Sequence, residues 1–293
     1  MEKARFKWVL RERNRKIAAK TEVFTEQQAR RVRSFHSSFK EYSPTPLIEL
    51  TSLAQHLGIK NLFVKDESYR FGLNAFKVLG GSFAIGSYIA NELGEDIDDL
   101  PYMRLVSDEV RSLLGSKTFI TTTDGNHGRG VAWTANRLKQ QAIVYMPQGS
   151  AAERLANIRA EGAQAEITDM NYDDTVRYTS ELAQKNGWII VQDTAWDGYT
   201  RIPLWIMQGY MTMALEAYEQ LPVKPTHIFL QAGVGSLAGS VQGFFADIYG
   251  SSCPLTFIVE PKGADCLYQT AAANDGSLHS VTGRLETIMA GLA

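Results

Sequence analysis

Residues 118–146, TFITTTDGNHGRGVAWTANRLKQQAIVYM, decide the fold. The run TFITT (118–122), β-branched and aromatic, reads as a strand, and AIVYM (142–146), closed by Pro147, reads as another. Between them Val131, Ala132, Ala135 and Leu138 recur at helical spacing after a glycine-containing turn. Strand, helix and strand in so short a stretch make a crossover unit, which joins parallel strands.

The alternation continues outward. Upstream, KNLFVK (60–65) reads as a strand and 78–93 as a helix. Downstream come a helix over 151–160 stopped by Gly162, and a strand over 164–168. A helix opened by Asn171 and ended by Gly187 follows, then a strand over 188–192. A helix over 205–219, a strand over 227–230, a glycine-rich turn, a helix to 249 and a strand over 255–259 complete the pattern. This predicts an α/β fold with two open, twisted, mainly parallel sheets and helices on both faces. Residues 96–117 are the least regular and read as a surface insertion. Two domains are expected: a large one from 1–88 and 188–293, and a small one from 89–187.

The 293 residues are 44% hydrophobic and 21% charged, as in a globular protein with a sizeable core. A net charge of −2 gives no reason to expect nucleic acid or an anionic membrane as partner. The basic N-terminus (Lys3, Arg5, Lys7, Arg11, Arg13, Arg15, Lys16) is interrupted by Glu2 and Glu12 and reads as a solvated helix face rather than a targeting segment. No apolar run reaches the length that spans a bilayer. Cys253 and Cys266 show neither redox nor metal-ligand spacing, so thiols in a cytosolic protein, with no metal, are expected. The apolar ending at 288–293 reads as a chain cut inside a fold.

Open α/β sheets bind ligands in loops at the carboxyl ends of strands, and three such loops carry chemistry. In the first, Lys77 ends the loop before a helix, between Phe76 and Val78-Leu79 and ahead of Gly80-Gly81. That apolar setting predicts a lowered lysine pKa, as a nucleophilic amine requires. In the second, TTTDGNHG (121–128), hydroxyls, an amide and N–H groups at a helix start can hold a carboxylate; a plain N-cap and turn suits the same residues. His127 adds little alone. In the third, QAGVGSLAG (231–239), strand, glycine turn and helix suit a phosphate. GxGxxG fails, since Gly239 falls one position late, but GxGxxA is met. With Glu260 ending the next strand, a dinucleotide site stays open on pattern alone.

Together these loops resemble the tryptophan-synthase-β-like family of pyridoxal 5′-phosphate (PLP) enzymes, fold type II. KDESYRFGLNAFKVLGG (65–81), TTTDGNHGRGVAW (121–133), TDMNYDDTVR (168–177), VQDTAWDGYTRIPLWIMQGY (191–210) and QAGVGSLAG (231–239) are similar, within it, to the diaminopropionate ammonia-lyases. The resemblance implies α,β-elimination of D- and L-2,3-diaminopropionate to pyruvate and two ammonia. It implies PLP on Lys77 as the Schiff-base lysine, passing through aminoacrylate, with the cofactor between the two lobes. Asn126 would lie beside the cofactor's phenolic oxygen, and Gly233, Val234, Gly235, Ser236 and Leu237 would bind its phosphate. Thr123 would contact substrate, Asp124 would be a second acid/base group, and Asp193 would recognise the substrate's amino side. The resemblance further implies a cytoplasmic homodimer, and a C-terminal segment supplying the residue that faces the pyridine nitrogen and further strands. A serine or threonine dehydratase on the same scaffold, or an inactive ligand-binding form, are the competing readings.

Overall fold

The computed structural model describes residues 6–11, 21–281 and 287. Its first elements are α1 (Glu26–Ser37), β1 (Leu47–Glu49), α2 (Thr51–Leu57), β2 (Phe63–Lys65), α3 (Lys77–Leu93), α4 (Tyr102–Leu105) and α5 (Asp108–Leu114). Then follow β3 (Thr118–Thr122), α6 (Asn126–Arg137), β4 (Gln141–Met146), α7 (Ala152–Ala160), β5 (Gln164–Ile167), α8 (Tyr172–Asn186) and β6 (Ile189–Ile190). The last are α9 (Arg201–Gln220), β7 (His227–Gln231), α10 (Ser236–Tyr249), β8 (Leu255–Val259) and α11 (Cys266–Ala273).

The crossover unit read from 118–146 is the centre of a four-stranded parallel sheet ordered β5-β4-β3-β6. Phe119 to Thr122 of β3 are all buried, as a strand covered on both faces requires. The expected α/β fold with mainly parallel pairing is therefore present. Where one further sheet is expected, the described residues form two separate two-stranded sheets, β7 with β8 in parallel and β1 with β2 antiparallel.

Helix α3 runs through the core, buried from Val78 to Ala90 with Tyr88 the one partly exposed position, and packs on α9, α6 and α1. Glycine lets the backbones meet there. A Cβ on Gly209 of α9 would fall 2.7 Å from Gly80 Cα, and one on Gly130 of α6 would fall 2.8 Å from Val78 Cα. Both approaches lie within three residues of Lys77, so they fix where α3 begins.

Two expectations change. The strand expected over 188–192 pairs only at Ile189 and Ile190. Beyond Val191, whose N–H still reaches Ile120 O, the side chain of Gln192 accepts from Thr122 N–H at 3.1 Å and from the Thr121 hydroxyl at 2.9 Å. A side chain replaces the next backbone rung, and the chain is released to turn at Asp193. Residues 96–117 are no loose insertion: α4, α5 and a short 3-10 turn bury Ile97, Leu100, Leu105, Val110 and Leu114. The N-terminal helix face and the chain end at 288–293 fall largely outside the described residues; 6–11 have no regular structure, and Phe6 and Trp8 are exposed. Among the described residues no helix is long and apolar enough to cross a membrane.

Candidate active site

Asp193 ties the three chemical loops together. Its Oδ2 lies 2.6 Å from Lys77 Nζ at the start of α3, and 4.0 Å from His127 Nδ1 in the first turn of α6. Its backbone carbonyl accepts from the Ser236 hydroxyl, 2.8 Å away, at the start of α10. Residues 77, 127, 193 and 236 thus converge where β6 breaks off, in the crevice beyond the carboxyl ends of the strands.

Electrostatics corrects one expectation. Burial does pull the Lys77 ammonium down, but the Asp193 carboxylate, with the Tyr210 and Tyr172 phenols, outweighs it and the net direction is up. Burial pushes Asp193 up, yet the Lys77 ammonium beside it holds it well below the usual carboxylate range. This is a close ion pair whose lysine is 22% and whose aspartate is 11% exposed. In this arrangement Lys77 is an ammonium, not a free base. Burial lowers His127 more than Asp193 raises it, so its imidazole is neutral.

The other predicted residues are placed as follows. Asp124 is 37% exposed, and Arg154 of α7 grips it at 3.0 Å through both its carboxylate and its backbone carbonyl. Asp124 therefore stands paired to Arg154. The Thr123 hydroxyl accepts from Gly125 N–H at 3.0 Å. Asn126 opens α6 with its side chain exposed. The turn Gly233–Leu237 leads into α10, with Gly235 at φ +94°, the left-handed region that favours glycine. Val234 is half exposed, and Ser236 and Leu237 are buried. Glu260 is used elsewhere: its carboxylate accepts from Leu267 and Tyr268 N–H groups at 2.9 and 2.8 Å, capping α11. That removes the acidic partner a dinucleotide ribose would need.

Sequence reasoning missed Arg154, Tyr210 and a buried charge cluster of Arg70, Glu67, Glu216 and Lys65. No periodicity marks a pairing across so much chain. A cavity of about 540 Å³ at the β6 edge, lined by Tyr88, Trp188, Tyr199 and Ile202, contains none of the predicted site residues. The close crossing beside Lys77 gives a first prediction. Gly209→Ala should cost roughly 1–3 kcal/mol through overpacking against α3, measured by urea unfolding; an unchanged midpoint contradicts the glycine contact.

The residues present fit PLP. The first N–H groups of α10 have no side-chain cap, which suits a phosphate. Tyr210 Oη, Thr194 Oγ1 and His127 Nδ1 are buried polar atoms without hydrogen-bond partners, beside or next in sequence to the Lys77–Asp193 pair. The sequence pattern of the family described as "Pyridoxal-phosphate dependent enzyme" matches residues 39–293, and the chain belongs to that family. Diaminopropionate ammonia-lyase of Salmonella typhimurium is 53% identical over 266 residues, covering 89% of this chain and 66% of its own length. The Escherichia coli diaminopropionate ammonia-lyase, solved in complex with D-serine, superposes with a TM-score of 0.84 at 50% identity, over 90% of this chain and 67% of that one. The same enzyme solved with an aminoacrylate–PLP azomethine intermediate gives 0.83, over 92% and 67%. The chain spans about two thirds of the length of the relatives it matches.

Proposed function

We propose that this chain belongs to a PLP-dependent ammonia-lyase that eliminates the β-amine of 2,3-diaminopropionate, giving pyruvate and two ammonia. The observation that carries this reading is the seat at Asp193, a largely buried carboxylate already holding an ammonium, Lys77 Nζ, at 2.6 Å. A diamino acid brings a second ammonium that can take that place. Lys77 would hold the cofactor, Asn126 would lie beside its phenolic oxygen, and Gly233 to Leu237 would grip its phosphate. Residues 89–187 would form a small lobe, and the flanking segments a large one. The assembly would be a cytoplasmic homodimer.

When bound, the cofactor supplies an electron sink for the pair left on Cα. The residues do the rest. As the substrate's ammonium takes over Asp193, Lys77 loses the partner that keeps it protonated; burial, its largest single influence, then makes it a base for the Cα proton. On the opposite face Asp124, released from Arg154, takes the proton of the other enantiomer. The β-nitrogen, kept protonated by Asp193, leaves as ammonia with the C–N electron pair. Released 2-aminoacrylate hydrolyses to pyruvate and a second ammonia.

Asp124→Asn is expected to lower turnover of the D isomer by about 10²-fold or more, and that of the L isomer far less. Equal losses measured as pyruvate from each isomer would sink the two-base scheme. The reading as a whole is tested by feeding diaminopropionate and serine in parallel: diaminopropionate should be the better substrate.

A further inference from the structure

One buried polar atom of this site has no part in the scheme above. His127 is 4% exposed, and its Nε2 lies 2.7 Å from the Val191 carbonyl. A carbonyl only accepts, so Nε2 bears the proton and Nδ1 presents a lone pair. That Nδ1 is buried without a partner, 4.0 Å from the same Asp193 oxygen that holds Lys77 Nζ. A neutral acceptor thus lies 4.0 Å from a carboxylate oxygen that already holds an ammonium, close enough for one ammonium placed between them to serve both. A buried acceptor left unpaired is unfavourable. A ligand with several N–H groups relieves it.

We infer that His127 Nδ1 and Asp193 together seat the substrate's β-ammonium, and that His127 is the residue that tells an amine from a hydroxyl. The inference rests on the reading given under Proposed function. An ammonium has three N–H donors, enough for both acceptors at once. A serine hydroxyl has one O–H and leaves an acceptor unpaired. His127 takes no proton in the reaction: the β-nitrogen departs with its three hydrogens and the C–N pair, while the Cα proton goes to the base.

Two substitutions in the full-length, PLP-loaded protein separate this role from a packing role. His127→Gln keeps an amide N–H for Val191 O and removes the acceptor at Nδ1; His127→Asn does the reverse. For His127→Gln, KM for diaminopropionate is expected to rise about tenfold or more, with serine, as substrate or competitive inhibitor, changing less than twofold. His127→Asn should keep the preference within about threefold. Unchanged preference in His127→Gln, or equal losses for both ligands in both variants, overturns the assignment. A second readout needs neither cofactor nor turnover. In ¹⁵N-histidine-labelled, PLP-free Lys77→Ala protein, methylammonium should shift the His127 Nδ1 resonance, and methanol should not. Absence of that shift overturns the seat. A shift in a protein that does not turn over diaminopropionate keeps the seat and refutes the proposed reaction.

Discussion

Lys77→Ala is expected to lower turnover by about 10³-fold or more and to remove the covalent hold on the cofactor. The same change leaves the Asp193 carboxylate, 11% exposed, without its cation. Removing one member of a largely buried pair is destabilising, here on the order of 2 kcal/mol. Lys77→Arg separates the two effects: it retains the charge opposite Asp193 and should recover most of the stability with none of the turnover. Urea unfolding and pyruvate release on the three proteins check both halves. Appreciable turnover in Lys77→Ala would remove Lys77 from the chemistry.

The second large effect concerns Glu216, which no motif marks. Its carboxylate is 1% exposed and accepts from Arg70, itself fully buried, at 2.7 and 2.8 Å. Arg70 also bonds Glu67 through two nitrogens at 2.8 Å, and Lys65 lies 2.8 Å from Glu216. The cluster balances two cations against two anions, and it ties the 65–72 segment before Lys77 to α9 behind it. Glu216→Ala leaves Arg70 buried with half its partners, so a loss of about 3–5 kcal/mol is expected. Replacing both ends, Arg70→Met with Glu216→Leu, should cost much less.

The pH dependence of Glu216 has a definite sign. Burial alone would raise its carboxyl, but Arg70 and Lys65 reverse that and bring it from 4.5 to about 2. Its contribution to stability is therefore complete above pH 4.5 and lost as the pH falls towards 2. Unfolding followed across that window should show a steep loss in the unsubstituted protein and a flatter one in Glu216→Gln. Parallel profiles would contradict the pairing.

What the sequence made legible was what its periodicity encodes. The strand–turn–helix–strand unit over 118–146, the helix that follows the loop carrying Lys77 and the Gly187 stop of α8 all follow from local patterns. Elements whose core positions are polar or very short did not show themselves. Helix α1 buries His36, whose ring bonds Thr212, Leu79 O and Ser82, so a core position looks hydrophilic in sequence. Strand β1 has three residues, too few for alternation to register. The site divides in the same way. Lys77, Asp193 and Ser236 are all visible in motifs of the sequence, and the structure brings them together. The partners that set their charge states lie far off in sequence: Asp193 is 116 residues from Lys77, and Glu216 is 146 from Arg70. The apolar flanks of Lys77 correctly indicate burial, but its protonation is decided across that gap.

The proposed reaction frees two nitrogens from one amino acid, the first at the site and the second as released 2-aminoacrylate hydrolyses. With full-length, PLP-loaded protein, ammonia and pyruvate should be measured together as diaminopropionate is consumed, with serine in a parallel reaction. Two ammonia are expected for each pyruvate from diaminopropionate, and slower turnover of serine at one ammonia each. Faster turnover of serine, or no pyruvate from diaminopropionate, would contradict it.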